Sequence, residues 1–262
     1  MKLESSVVAA LAEHLENCEL QARDTPKITL DHPEMDWADA YAVQDEIRRR
    51  KEARGERIVG LKAGLTSYAK MHQMGVDTPI FGFLAESFVV ANGSQCEHAK
   101  LIHPKVEPEI VFVTKAPLAG PGCHVAQVLA ATDFVVSGIE VIDSRYRDFK
   151  FDLKSVVADN CSSSRFVVGG MLRNPGDQDW STTGVVMEKN GQIVSVGAGA
   201  AVLGHPATAV ALLANHLGAR GQCIPAGSVI LTGGITEAVS VDAGDHITLH
   251  MQGMGHTSIR FA

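Results

Sequence analysis

The sequence predicts an α+β protein in which a helical N-terminal region packs on a larger, strand-rich core. Three observations carry that prediction. Apolar residues recur at helical spacing through the first third of the chain. From about Lys100 short β-branched runs alternate with Gly, Asp and Asn clusters. The pair Asn190-Gly191 stands between two such runs and supplies the two positive-φ residues of a type I′ hairpin turn. With 45% hydrophobic and 20% charged residues, the 262-residue chain can bury a sizeable core without metal or disulfide staples.

The elements follow in order. Ser5 or Ser6 is positioned to cap a first helix whose apolar face is Val7, Val8, Leu11 and Leu15. A second helix starts at Asp36 as N-cap, with Asp39 in its first turn, the stripe Trp37, Tyr41, Ile47, and Arg48 to Lys51 near its negative end; Gly55 stops it. A shorter helix is expected from Thr66 or Ser67 through Met74 to Gly75. Strands are expected at 109–113, 134–136, 139–142, 166–168, 229–231 and 246–249, with a hairpin joining 185–189 to 192–196. One late helix begins at Pro206, buries Val210, Leu213 and Leu217, and ends at Gly218 or Gly221. Residues 1–99 then form a mainly helical region that contributes a strand carrying Lys62, and residues 100–262 form the core, as one compact unit.

Several function classes are disfavoured. Thirty acids against 23 bases give a formal charge of -7 with no basic block, which disfavours a nucleic-acid footprint. No apolar run reaches the roughly 18 residues of a membrane span, and Met1 to Ser6 lacks the apolar stretch of a secretory signal. Five scattered cysteines without a CxxC pair read as reduced thiols, so a cytoplasmic protein is expected.

The chemistry concentrates in a few segments. In His103-Pro104-Lys105-Val106-Glu107-Pro108-Glu109, alternation puts Glu107 and Glu109 on one face of a strand, just before an apolar run. Pro108 cannot donate to a ladder, which suggests an edge or a mouth. Glu140 interrupts a second apolar run and either faces solvent or is held by a partner. Three carboxylates without His or Cys suit a hard dication such as Mg²⁺ or Mn²⁺; solvated strand faces would explain the same pattern. Lys62, in the Gly-flanked apolar segment 58–66, is either an anion contact or a lysine snorkelling from an edge strand. The polar loop Asp159 to Arg165 and the glycines of Thr232-Gly233-Gly234 offer donors to a ligand, yet each is ordinary in isolation. His246 and His250 alternate like strand residues and have no third ligand beside them.

Taken together and in order, the Gly60-Leu61-Lys62 strand, the 103–109 segment, Glu140-Val-Ile-Asp-Ser-Arg145, the Asn160-to-Arg165 serine loop and Thr232-Gly233-Gly234 resemble the hydratase/decarboxylase branch of the fumarylacetoacetate hydrolase superfamily. The resemblance spans essentially the whole chain. It implies a mixed β-roll core of that type with a smaller helical N-terminal region. It also implies one Mg²⁺ or Mn²⁺ held by Glu107, Glu109 and Glu140, and a catalytic, substrate-binding lysine at Lys62. Ser163 and Thr232 are then substrate contacts. Segments such as Ile47 to Gly55, Phe149 to Leu153 and Gly199 to Pro206 resemble the decarboxylase members. Related hydratases carry an Asp before an aromatic-Gly pair, where this chain has Ile80-Phe81-Gly82. The implied reaction is metal-dependent decarboxylation of 2-oxo-hex-3-enedioate in aromatic meta-cleavage. The alternatives are hydration of 2-hydroxypenta-2,4-dienoate or a non-catalytic partner subunit of that hydratase. An oxo-dicarboxylate substrate, an oligomer and a hetero-complex with the pathway hydratase are the implied partners.

Overall fold

The computed structural model describes residues 1–262 apart from 69, 70, 73 and 74. The helix expected over 66–75 therefore lies partly outside the described residues. The remaining helices follow the sequence closely. Helix α1 (Ser5–Leu20) buries Val8, Leu11 and Leu15. Its N-cap is Glu4, which makes no side-chain capping bond, so the expected Ser5 or Ser6 cap is corrected by a residue: Ser5 is already helical. Helix α2 (Trp37–Ala53) does start at Asp36, in a reciprocal capping box with Asp39. Asp39 also accepts from the backbone of Lys2 (2.9 Å) and Leu3 (3.0 Å), which ties the chain start onto α2. The buried stripe of α2 is Ala40, Val43, Gln44 and Ile47, whereas Trp37 is 44% exposed. Two short helices, α3 (Val125–Ala131) and α4 (Leu153–Ala158), precede α5 (Pro206–Ala219), which opens with Pro206 in its first turn. The segment Gly199–Ala219 is apolar and long enough to cross a membrane by composition alone. Here eight of the α5 residues are buried in the protein.

Two sheets form the centre. The larger runs β2 (Ile80–Ala85), β1 (Ile58–Gly64), β9 (Val229–Leu231), β4 (Lys105–Thr114), β5 (Thr132–Ile142), β6 (Ser163–Arg173), with β10 (Val239–Ser240) also on β4. The smaller runs β3 (Gln95–Cys96), β12 (Gly255–Phe261), β11 (His246–Met251), β7 (Gly184–Lys189), β8 (Gln192–Ala198). Both are mixed: β1 lies parallel to β9 and β12 parallel to β3, and the other pairings are antiparallel. The expected hairpin closes at Asn190 (φ 55°) and Gly191 (φ 76°), as a type I′ turn requires. The runs 134–136 and 139–142 belong to one long strand, β5. Because β1 and β2 sit in the same sheet as β4 and β5, the segment before residue 100 shares its main sheet with the rest.

The register of β4 corrects one expectation. Pro108 is not on an edge strand: it pairs with Ile139 of β5, inside the sheet. On its other side β9 pairs with Val111 to Val113 and β10 with Lys105 and Val106, so residues 107–110 face an interval between two strands. The segment 232–235 crosses that interval, with Ile235 N–H donating to the Pro108 carbonyl (3.0 Å). A proline fits where the ladder is interrupted.

Candidate active site

The interruption in β4 is where the site is built. Glu107 and Glu140 are direct cross-strand partners in the β4–β5 register, and Glu109 follows two residues later opposite Gly138. One ligand oxygen from each of Glu107, Glu109 and Glu140 lies within 4.8 Å of the other two. Glu109 and Glu140 are fully buried and Glu107 is half-buried. Like charges directly opposite on a sheet repel, so such a cluster needs compensation, and the protein supplies only part of it. Gly233 N–H donates to Glu109 Oε2 at 2.6 Å. Lys62 Nζ stands 2.9 Å from Glu140 Oε1 as a charge contact. Yet neither Glu140 oxygen accepts a hydrogen bond among the described residues, and Glu109 Oε1 accepts none. Burial, then the charges of Glu140 and Glu107, hold the Glu109 carboxyl well above its ordinary value of 4.5, against the pull of Lys62.

Buried carboxylate oxygens are normally partnered. Three that converge with orphaned lone pairs, all oxygen and no sulfur or nitrogen, suit a hard dication such as Mg²⁺. The glycines beside them are dictated by this crowding. A Cβ on Gly234 would stand 2.7 Å from the Glu107 carboxyl carbon, and one on Gly233 (φ 101°) would meet the Thr66 hydroxyl at 2.0 Å. The Gly-Gly pair thus lets the crossing segment pass over the acids and aim a backbone donor at Glu109.

Lys62 lies on β1, which is flanked by β2 and β9, and it is 3% exposed. A snorkelling lysine on an edge is therefore excluded. Burial disfavours its charge, but Glu140, with Cys161, Glu109 and Glu107 behind it, outweighs burial and holds the ammonium above its ordinary range. Its second contact is the Cys161 carbonyl at 3.2 Å.

That carbonyl belongs to an unusual turn. Asn160, Cys161 and Ser162 have φ of 48°, 53° and 57°, three consecutive L-residues in the left-handed region. Each costs about 1–3 kcal/mol and persists only where the surroundings over-determine it. They do. Asn160 Oδ1 accepts from Phe83 N–H (2.9 Å) while its Nδ2 donates to the Phe83 carbonyl (3.0 Å). Cys161 Sγ donates to the Phe81 carbonyl (3.2 Å), and the Ser162 carbonyl accepts from Asp143 N–H (2.8 Å). The Cys161 thiol is pushed up to about 12 by burial, opposed by Lys62, so it is a neutral donor and no nucleophile. The turn leaves the hydroxyls of Ser162 and Ser163 buried with no partner among the described residues.

A cavity of about 240 Å³ opens onto these groups, lined by Lys62, Glu107, Ser162 and Gly234. Ile80, Ile142, Phe149, Phe151 and Val156 supply its apolar lining, and Lys105 also borders it. Phe149 (φ 56°) and Asp148 (φ 57°) are both left-handed. A larger apolar groove of about 760 Å³ lies between α2 and α5, but none of Glu107, Glu109 and Glu140 reaches it. Chemistry, not size, selects the smaller cavity.

The sequence-derived residues are distributed as follows. Glu107, Glu109, Glu140 and Lys62 come together. Ser163 is buried, but it is its neighbour Ser162 that borders the cavity. Thr232 is fully buried, and its hydroxyl donates to the Ile110 carbonyl (2.7 Å). That bond holds the crossing segment to β4. Sequence reasoning missed Asn160, Ser162 and Phe149 as builders of the site. The serine loop did draw attention to the first two; no periodic signal marked Phe149.

Comparison with known proteins agrees with this geometry. Residues 57–262 match the model of the fumarylacetoacetate hydrolase C-terminal family. The chain is 65% identical over 254 residues to a 4-oxalocrotonate decarboxylase of Pseudomonas sp. (strain CF600), covering 97% of this chain and 96% of that one. It is 43% identical over 242 residues to a 2-hydroxyhexa-2,4-dienoate hydratase of Comamonas testosteroni, covering 92% of each. The structure of 4-oxalocrotonate decarboxylase from Pseudomonas putida G7, complexed with magnesium and adipate, superposes with a TM-score of 0.98 at 61% identity, covering 100% of this chain and 99% of that one.

Proposed function

The chain belongs to the fumarylacetoacetate hydrolase family, and from that premise we propose that it decarboxylates 2-oxo-hex-3-enedioate (4-oxalocrotonate) to 2-hydroxypenta-2,4-dienoate and CO₂ in aromatic meta-cleavage. It is a metal-dependent enzyme. The observation that carries this reading is the convergence of Glu107, Glu109 and Glu140, in which Glu109 Oε1 and both Glu140 oxygens are buried and accept no hydrogen bond among the described residues. These three residues would hold a Mg²⁺ or Mn²⁺ ion. Such an ion acts as a Lewis acid toward developing negative charge and contributes several kcal/mol without a proton transfer.

The chemistry required of the chain is modest, because the substrate is a vinylogous β-keto acid with its own electron sink. The C5–C6 bond breaks and CO₂ leaves. The electron pair forms C4=C5, the C3=C4 pair shifts to C2=C3, and charge arrives at the C2 oxygen. Lys62 is a buried cation that lines the cavity. Its ammonium donates a hydrogen bond, or a proton, to that oxygen and balances the negative cluster beside it. Ser162 at the cavity, with Ser163 next to it in the chain, offers the C1 carboxylate a hydroxyl that has no partner among the described residues. Ile80, Ile142, Phe149, Phe151 and Val156 keep the reacting chain dry, which favours departure of a charged carboxylate as neutral CO₂. Ile80 also stands where the related hydratases carry an Asp, so the chain lacks a water-holding acid there. We further place the protein in the cytoplasm, as its five free thiols fit a reducing compartment. We also place it in an oligomer that pairs with the pathway hydratase, a reading supported by family resemblance alone.

The test is direct. Purified protein is incubated with the oxo-enedioate and Mg²⁺, with and without EDTA, while CO₂ and the dienol are followed. CO₂ release with dienol accumulation, abolished by EDTA, is the expected result. Consumption of the dienol identifies a hydratase, and neither activity leaves a non-catalytic partner.

A further inference from the structure

Lys105 has no role in the chemistry above, yet it lines the same cavity. It lies on β4 two residues before Glu107 and four before Glu109, so alternation places it on their face. Its cross-strand partner is Ile142, another cavity residue. Two strand residues span roughly 7 Å, close to the length of a six-carbon chain measured from the acidic cluster. The Lys105 ammonium makes no hydrogen bond or ion pair among the described residues. Its one contact is the face of Phe149, whose centroid is 4.4 Å away. The Phe149 ring also meets the His103 ring, tilted by 46° with centroids 4.7 Å apart, and its backbone is at positive φ.

From this placement we infer that Lys105 reads the distal carboxylate of the substrate, and that it selects a dicarboxylate over the monocarboxylate of the same length. This rests on the decarboxylase reading, which fixes the C1 end of the substrate at Glu107, Glu109 and Glu140. The ring contact explains how a cation can serve there without blocking the reaction. A lysine locked in an ion pair would stabilise the ground-state carboxylate and oppose its loss. One that rests on an aromatic face can attract the dianion, and it keeps a partner once CO₂ has gone and the product carries a single charge. Lys105 is thus a binding and selectivity residue, not a proton donor.

The experiment compares 2-oxoadipate with 2-oxohexanoate, which differ only in the distal carboxylate, by calorimetry on magnesium-loaded protein. Lys105→Met keeps the stem and removes the charge. Its affinity for 2-oxoadipate is expected to fall roughly tenfold, the scale of one charge-assisted contact, with 2-oxohexanoate unchanged and Lys105→Arg restoring most of the loss. KM for the oxo-enedioate should rise by a similar factor at unchanged kcat. Equal losses for both oxo acids, an unchanged 2-oxoadipate affinity, or a fall in kcat at constant KM would overturn the assignment. Wild-type protein that releases no CO₂ would instead overturn the decarboxylase reading, and the two binding measurements would still judge Lys105.

Discussion

Two buried cation–carboxylate pairs lie close together in this molecule, and they are built on opposite principles. Arg145 and Asp159 form a closed unit. The Arg145 Nε and Nη2 donate to the Asp159 carboxylate and carbonyl, and Nη1 donates to the carbonyls of Asp143 (2.8 Å) and Ser163 (3.0 Å). The Arg145 backbone N–H takes the second Asp159 oxygen (3.1 Å). Lys62 and Glu140 form an open one: a 2.9 Å charge contact, one carbonyl on the lysine, and no hydrogen bond on either carboxylate oxygen among the described residues. Both pairs are almost entirely excluded from solvent. Burial therefore does not distinguish structure from function here; satisfaction does. The closed pair pins the 159–163 turn, and the open pair keeps lone pairs available to a ligand.

The contrast breaks most sharply under mutation of the open pair. Glu140→Gln, and Glu107→Gln beside it, should lower turnover at least about a thousandfold. That is the factor several kcal/mol of metal-assisted charge stabilisation represents at 1.36 kcal/mol per decade. Stability should change by only about 1 kcal/mol, because loss of the Glu140 charge lets Glu109 ionise and balance Lys62, and no hydrogen bond to Glu140 is lost. Steady-state rates with Mg²⁺ and a urea titration of each variant measure both quantities. Near-normal turnover in Glu140→Gln would remove the metal assignment.

The closed pair should show the reverse order. Asp159→Asn leaves a buried guanidinium short of its counter-charge, a change that costs about 3–5 kcal/mol. The urea midpoint should fall accordingly. Any protein that still folds should keep its magnesium affinity, since Arg145 and Asp159 touch none of the three acids. A loss of magnesium binding as large as the loss of stability would show that the two pairs are one unit.

Ligand addition sharpens the comparison at smaller amplitude. Magnesium at a hundred times its dissociation constant should stabilise the wild-type fold by about 2.7 kcal/mol. In Glu109→Gln the shift should vanish, and in Asp159→Asn it should persist. Melting curves with and without Mg²⁺ report it.

How much of this was legible beforehand follows from the range of each interaction. The capping box of Asp36, the Asn190-Gly191 turn and Pro206 at the start of α5 are local, and local pattern sufficed. The shared face of Glu107 and Glu109 follows from alternation alone. That Glu140 stands opposite Glu107 depends on the β4–β5 register, which no single segment encodes; its place inside an apolar run marked it as a candidate, and the resemblance to a family joined it to the other two. Pro108 was misread as an edge residue because a gap between β9 and β10, strands far away in sequence, is invisible from the 103–110 segment. The bond from the Thr232 hydroxyl to the Ile110 carbonyl was hidden for a related reason: its acceptor lies more than a hundred residues earlier. The left-handed turn at 160–162 has no glycine to announce it, since its conformation is imposed by Phe81, Phe83 and Asp143.

The smallest effect concerns protons. In metal-free protein the Glu109 carboxyl is held above its ordinary value of 4.5 by burial and by Glu140, so the folded state binds a proton that the unfolded state has already released. Stability must therefore fall as pH rises from about 4.5 through the folded value. Magnesium takes the place of that proton, so its binding should release protons at low pH and tighten as pH rises. Glu109→Gln cannot titrate and should show a shallower decline in metal-free stability, the remainder coming from Asp159, whose carboxyl is pushed up to about 7 by burial against the pull of Arg145. Asp159→Asn leaves the acidic cluster intact and should keep the part of the decline that Glu109 contributes while losing its own. Urea titrations of the EDTA-treated proteins across that range separate the two, and identical pH profiles for wild type and Glu109→Gln would place the proton elsewhere in the cluster.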